Sequence, residues 1–349
     1  MSSAAKSAAR LAERLVTTRV GTRVVLDPVL TWGWHRYEAS GTTPTVAYRA
    51  MRASFLSPET SFGRLEERAA HERPLLTFSP EPAGLTAGIH DEILATLLRD
   101  GFAVLPDLLP PAACADIECF AREANCTLVG SDDPSLPATA TFDPAAPLAR
   151  RYEIPEEDLL ACPTVQELVA DESILRLAQD YLGAAPVQDL VAGWWSAPGG
   201  GSASAAAQLF HFDLDRPRFL KLFVYLTDVD ADTGPHAFVR GTHRALPAAF
   251  RADRRYSDEE VERRFPDDVV RIPGPRGTVF LADTRGLHKG EPVTRGHRLV
   301  FQLELASSLF GQTYTRPVLR KPIPALADAA RRFPSVYRRF TIPDADPST

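Results

Sequence analysis

The chain has 349 residues, a hydrophobic share of 44%, a charged share of 24% and a formal net charge of −6. These values describe a globular chain long enough for a barrel with helical additions. The acidic balance argues against a general nucleic-acid surface, and no apolar run approaches the roughly 20 residues of a membrane span.

Met1 to Val20 carries Lys6, Arg10, Arg14 and Arg19 against one acid, Glu13, but lacks the apolar core of a secretory signal. An amphipathic helix over Ser2–Thr17 and a cytoplasmic protein are expected. Thr45–Phe55 predicts a second helix. Trp32-Gly-Trp-His35 reads as packing, and Pro80, Pro82 and Gly84 mark a linker. Ile89, Ile93, Leu94, Leu97 and Leu98 form a helical stripe stopped by Asp100-Gly101. A short strand, Phe102–Pro106, follows. Pro110-Pro111 then opens a helix to about Asn125. Residues 127–150 read as a long surface loop, and Thr164–Leu182 as one helix ending at Gly183. Cys114, Cys119, Cys126 and Cys162 form no C-x-x-C pair and read as buried thiols in a reducing compartment.

Strands dominate afterwards: Val187–Trp195, Leu209–Asp213, Phe219–Thr227, His236–Arg240, Gly277–Asp283 and Arg298–Leu305. Ala197–Ala207 reads as a flexible rim. Residues 244–270 interrupt the rhythm with a charged helix N-capped at Ser257 and make a candidate lid. Arg316–Arg339 reads as a basic helix on the outside. Many short strands between turns favour a sandwich or jelly roll, mainly β with α additions, over a parallel sheet.

One stretch carries chemistry. His211 and Asp213 stand one residue apart, so on a strand both side chains leave the same face. With His288 from a distant strand they form a two-histidine, one-carboxylate set suited to non-haem Fe(II), with the opposite side of the ion open. If 2-oxoglutarate chelates two open positions, its distal carboxylate needs a cation, and Arg298 can bind it through two parallel hydrogen bonds. Arg298, Val300, Gln302 and Glu304 share one strand face, and Leu299, Phe301, Leu303 and Leu305 the other. Lys221 is a candidate contact for 2-oxoglutarate or an anionic substrate. Arg216 and Arg218 are candidates for an anion-binding rim, and Trp194 or Trp195 for substrate packing. Gln208 has the wrong strand parity for the site. His236, His243 and His297 read as structural.

The sequence resembles the phytanoyl-CoA dioxygenase-like family of Fe(II)- and 2-oxoglutarate-dependent oxygenases over roughly Leu85–Phe310. The resemblance rests on Asp100-Gly-Phe-Ala-Val-Leu-Pro106, Tyr181-Leu-Gly183, Gln208–Asp213, Tyr225-Leu-Thr-Asp-Val229, Thr233-Gly-Pro235, Gly241-Thr-His243, Gly277-Thr-Val-Phe-Leu281 and Gly286-Leu-His288 through Arg298. It implies a double-stranded β-helix (cupin-like jelly roll) buttressed by helices, with the metal triad on His211, Asp213 and His288 and the 2-oxoglutarate arginine on Arg298. The expected organisation is a mostly helical extension at 1–86, an oxygenase domain at 87–310 with the 244–270 insertion, and a tail at 311–349 packed on the barrel. The implied reaction uses Fe(II), 2-oxoglutarate and O₂ to oxidise an unactivated C–H bond of a small molecule, releasing succinate and CO₂. Halogenating relatives have a small residue in place of the carboxylate, so Asp213 points to hydroxylation or another halide-free oxidation. Arg240 stands where the family usually has proline. An acidic or phosphate-bearing substrate is expected from the cations Arg216, Arg218, Lys221 and Arg240, a secondary-metabolite intermediate is among the substrates the resemblance implies, and no nucleic acid or membrane partner is expected. The alternatives are a non-catalytic cupin-like binding protein and a metal oxygenase that does not use 2-oxoglutarate.

Overall fold

The computed structural model describes residues 19–56, 61–79, 82–131, 133–199 and 207–342. The expected helix over Ser2–Thr17, Pro80 of the linker and most of the 197–207 rim lie outside them. Three helices begin the described chain: α1 (Arg19–Ser40), α2 (Thr45–Leu56) and α3 (Ser61–Ala70). They bury their own apolar cluster, in which Trp34, Tyr37 and Met51 surround Phe310 from the far end of the chain. Gly33 is required at the α1–α2 crossing: a Cβ there would lie 2.2 Å from that of Ala47.

Helix α4 (His90–Asp100) ends at Gly101, which adopts φ +88°, and leads into β1 (Phe102–Leu105) and α5 (Pro111–Glu123). The stretch expected to be a plain surface loop instead contains β2 (Cys126–Val129) and β3 (Thr139–Ala140), followed by β4 (Arg151–Glu153). A short helix, α6 (Glu156–Ala161), comes first, and the single helix expected over Thr164–Leu182 is broken into α7 (Pro163–Ala170) and α8 (Glu172–Leu182). Pro163 starts a new first turn, and the Asp171 side chain accepts hydrogen bonds from the Ser173 and Ile174 amides, so each break has a local cause.

The remaining elements are β5 (Val187–Ser196), β6 (Phe219–Tyr225), β7 (His236–Val239), α9 (Asp258–Arg264), β8 (Val269–Ile272), β9 (Val279–Ala282), β10 (His288–Gly290), β11 (Arg298–Ala306) and α10 (Pro324–Arg332). Eight strands form one antiparallel sheet in the order β1-β9-β6-β11-β5-β4-β2-β3, and three form the opposing sheet, β10-β7-β8. This is the expected jelly roll.

Alternation divides the large sheet into two environments. Leu220, Leu222, Val224, Leu299, Phe301 and Leu303 face outward into the main core, against the helices. Phe223, Tyr225, Phe280 and Val300 face inward, towards Phe238 of the small sheet. The tail joins the main core through Leu326, Phe333, Val336 and Tyr337. Four thiols are free, with Cys114, Cys126 and Cys162 buried and Cys119 exposed. Among the described residues no helix is long and apolar enough to cross a membrane.

Candidate metal centre and its cavity

His211 and His288 are a hydrogen-bonded antiparallel backbone pair, which sets His211 beside β10 at the edge of the small sheet. The His211 amide donates to the His288 carbonyl at 2.9 Å, and the His288 amide returns the bond at 2.8 Å. The Asp213 amide donates to Thr284 O at 2.8 Å, which fixes the third residue to the loop before His288. Leu209–Asp213 is thus held by single bridges rather than by a strand ladder. One donor atom from each of His211, Asp213 and His288 lies within 4.8 Å of the others.

Their protonation suits a metal. His211 Nδ1 lies 2.9 Å from Leu209 O and His288 Nδ1 3.0 Å from Gly286 O, so each Nδ1–H has a backbone acceptor and each Nε2 presents a lone pair. Burial pushes His211 down to about 3 and lowers His288 as well, keeping both imidazoles neutral. Burial opposes ionisation of Asp213, but Lys221, with Nζ 2.7 Å from Oδ2, and the two imidazoles together outweigh it and hold the carboxyl well below the usual range. Two neutral imidazoles and one ionised carboxylate, with the rest of the cavity in front of them, fit a divalent iron with open positions.

The triad opens into a cavity of about 280 Å³ inside the barrel, lined also by Trp194, Lys221, His236 and Arg298. Arg298 is only 6% exposed. Its Nη2 reaches Ser196 Oγ at 3.4 Å, its Nε has no partner, and no carboxylate pairs with it among the described residues. Burial lowers its pKa, and Arg151 adds to that effect against the pull of Tyr225 and Glu291. The guanidinium lies against Gly290, where a Cβ would sit 3.1 Å from Nη2, two residues beyond His288. A buried guanidinium with spare donors fits an incoming carboxylate.

Lys221 lies in this cavity, but Asp213 at 2.7 Å and Glu304 Oε2 at 3.4 Å already flank its ammonium. Burial pushes Glu304 up to about 8 while Lys221 pulls it back. Three expectations for substrate residues are corrected. Trp195 faces the helices: it stacks on Phe142 at 4.6 Å and donates Nε1–H to Ala121 O, while Trp194 alone of the pair lines the cavity. Arg216 is 2% exposed and grips Asp189 through two hydrogen bonds of 2.5 and 2.6 Å, making a buried structural pair instead of a rim. Arg218 stacks over Tyr181 and donates to Leu182 O, in a separate groove of about 670 Å³ beside the N-terminal helices.

Arg240 lies at the surface beside Asp100. His243 packs against Gly101, His297 against Trp195 and Phe142, and Gln208 accepts from Arg150. His236 differs from its structural expectation. It is buried in the cavity wall, stacked on His288 at 5.5 Å and 13°, with Nε2 unpartnered. Arg151 and Arg255 also reach the cavity from segments that carried no motif.

The family model described as Phytanoyl-CoA dioxygenase (PhyH) matches residues 97–299. No curated protein matches the chain. Among solved structures, the chain is similar to the non-heme alpha ketoglutarate dependent epimerase SnoN from nogalamycin biosynthesis, at 20% identity over 62% of this chain and 82% of that one, TM-score 0.48. It is similar to HygX from Streptomyces hygroscopicus with nickel and 2-oxoglutarate bound, at 18% identity over 67% and 92%, TM-score 0.45. It is also similar to EctD from S. alaskensis with bound Fe, at 21% identity over 66% and 79%, TM-score 0.44. The family match runs through the strands that carry the triad, and the chain belongs to the phytanoyl-CoA dioxygenase family of iron- and 2-oxoglutarate-dependent oxidoreductases.

Proposed function

We propose that His211, Asp213 and His288 hold the iron, that Arg298 receives the distal carboxylate of 2-oxoglutarate, and that the substrate is a small organic molecule oxidised at a C–H bond. The observation that carries this reading is the pairing of a neutral-histidine, ionised-carboxylate set with an unpaired buried arginine in one cavity. Fe(II), when bound, supplies the redox chemistry that couples oxidation of 2-oxoglutarate by O₂, giving succinate and CO₂, to oxidation of the substrate.

The chain's residues provide orientation. The reciprocal backbone bonds between His211 and His288 fix the distance between the two imidazoles, and the Leu209 and Gly286 carbonyls fix their tautomers. Lys221 holds Asp213 ionised and restrains Oδ2. Arg298 exchanges an unfavourable empty state for a charge-assisted pair when the co-substrate arrives, which orients its other end towards the triad. Phe223, Phe280 and Val300 line the cavity beside these polar groups and exclude water. Trp194 supplies an aromatic wall, and Arg151 lies over its ring at 4.2 Å.

Anaerobic metal binding tests the assignment. One Fe(II) per wild-type chain is expected, with loss of that stoichiometry in His211→Ala and His288→Ala. Equal iron binding by all three proteins overturns it.

A further inference from the structure

A second cavity, of about 400 Å³, meets the metal centre from outside. His211, Asp213, Asp215 and Arg255 line both this outer cavity and the inner one that holds Arg298. The outer cavity is completed by Arg52 from α2 and by Asp253 and Arg254 from the 244–270 insertion. Arg52 Nε donates to Asp253 Oδ2 at 3.0 Å, which joins α2 to the insertion at the edge of this cavity.

The insertion's position is fixed by backbone bonds. The Tyr256 amide donates to Phe210 O at 2.8 Å, and the Phe210 amide donates to Tyr256 O at 3.1 Å. Arg255 is therefore placed one residue from a segment locked to the neighbour of His211.

Charge in this cavity is unevenly balanced. Arg254 is held by Glu260 at 2.7 Å and lies over the Tyr256 ring, and Arg52 is held by Asp253. The acids are also engaged: Asp253 by Arg52, Asp213 by Lys221, and Asp215 by the Tyr314 hydroxyl. The Arg255 side chain is exposed, lines both cavities beside His211 and Asp213, and has no hydrogen bond or ion pair among the described residues. A guanidinium with free donors at the junction of the two cavities can bind an external anion through charge-assisted hydrogen bonds.

We infer that the outer cavity seats the substrate to be oxidised and that Arg255 binds an oxyanion on it, a carboxylate or a phosphate. This inference rests on the metal and 2-oxoglutarate assignments above, because it gives the inner cavity to the co-substrate. The arrangement places the anionic end of the substrate at Arg255 and the remainder beside His211 and Asp213.

The test uses the full chain loaded with Mn(II) in place of Fe(II), in the presence of 2-oxoglutarate. Inorganic phosphate is titrated while its ³¹P relaxation is recorded, and acetate labelled at its carboxyl carbon is titrated in a parallel arm. A saturable, Mn(II)-dependent enhancement is expected in the wild type. Arg255→Gln should weaken the apparent affinity about tenfold or more, and Arg255→Lys should recover part of it. Arg263→Gln, at an exposed side chain of α9 that pairs with Glu259 and lines neither cavity, serves as the local control and should respond as the wild type. The stronger of the two anion arms identifies the substrate's anionic group. Mn(II) stoichiometry is measured on every variant, which separates loss of the metal from loss of the anion. Enhancement unchanged in Arg255→Gln, or absent for both anions in a fully metal-loaded wild type, overturns the inference alone. Failure of the wild type to hold Mn(II) overturns the metal assignment and this inference with it.

Discussion

Replacing Arg298 by Met gives opposite results for stability and for co-substrate binding. The free protein buries a guanidinium with an unpartnered Nε and only one weak side-chain contact, to Ser196. Methionine keeps comparable bulk and removes the charge, so the free protein should be unchanged or stabilised by up to about 2 kcal/mol. That corresponds to a rise of no more than about 2–4 °C per kcal/mol, and less in a chain of this length. In the bound state the same change strips a buried carboxylate of two charge-assisted hydrogen bonds, a loss of about 3–4 kcal/mol. At about 1.4 kcal/mol per decade, 2-oxoglutarate should bind roughly 100- to 1,000-fold more weakly. Anaerobic calorimetric titration of the Fe(II) protein measures the affinity, and thermal unfolding without ligand measures the stability. Binding within threefold of wild type would refute the assignment. Destabilisation beyond about 2 kcal/mol would show that Arg298 is a structural arginine.

Further outcomes follow from the same contacts. Lys221→Met leaves Asp213 and Glu304 without their shared ammonium, so metal affinity, measured by chelator competition, should fall about 10- to 100-fold; unchanged affinity contradicts that role. Trp195→Ala should cost about 3–5 kcal/mol in denaturant unfolding, because the ring is fully buried against Phe142. Trp194→Ala should act chiefly on KM, and the reverse pattern would show the two faces misassigned. Asp283 is buried, which alone would raise its pKa, but Arg285 and Tyr181 hold it below its ordinary value. Its folded pKa being depressed, its contribution is present above about pH 4 and is lost as pH falls through the folded value. Asp283→Asn should therefore flatten the acid limb of a Tm-against-pH curve and cost about 3 kcal/mol at neutral pH by breaking the buried pair with Arg285, which keeps only Glu66 as a carboxylate partner. A curve parallel to that of the wild type contradicts this.

What was legible in the sequence follows from how far each signal extends along the chain. β11 is nine residues long, and its alternation placed Arg298, Val300, Gln302 and Glu304 on the cavity side and Leu299, Phe301, Leu303 and Leu305 towards the helices; the structure has this division. In β6, too, residues two apart share a face, and Lys221, Phe223 and Tyr225 line the cavity. A two-way choice remained at Trp194 and Trp195, since period two says that one faces in without saying which. Arg151 was hidden because β2, β3 and β4 have only two to four residues, too short for a pattern to emerge from a Pro- and Ala-rich stretch. Arg255 lies between short elements in an insertion whose position depends on the long-range bridge between Phe210 and Tyr256. Arg216 and Arg218 follow Asp213 closely in sequence, but the chain turns at Pro217 and their partners, Asp189 and Tyr181, come from elements to the N-terminal side. His236 carried no motif. Only strand pairing of β7 with β10 brings it over His288.

The most direct test of the whole account is turnover. Protein purified anaerobically is given Fe(II), 2-oxoglutarate and O₂, and succinate is measured beside His211→Ala. Iron-dependent succinate formation by the wild type, absent from the variant, is the predicted result. Equal succinate from both proteins, or none from an iron-loaded wild type supplied with a broad panel of small molecules, would contradict it.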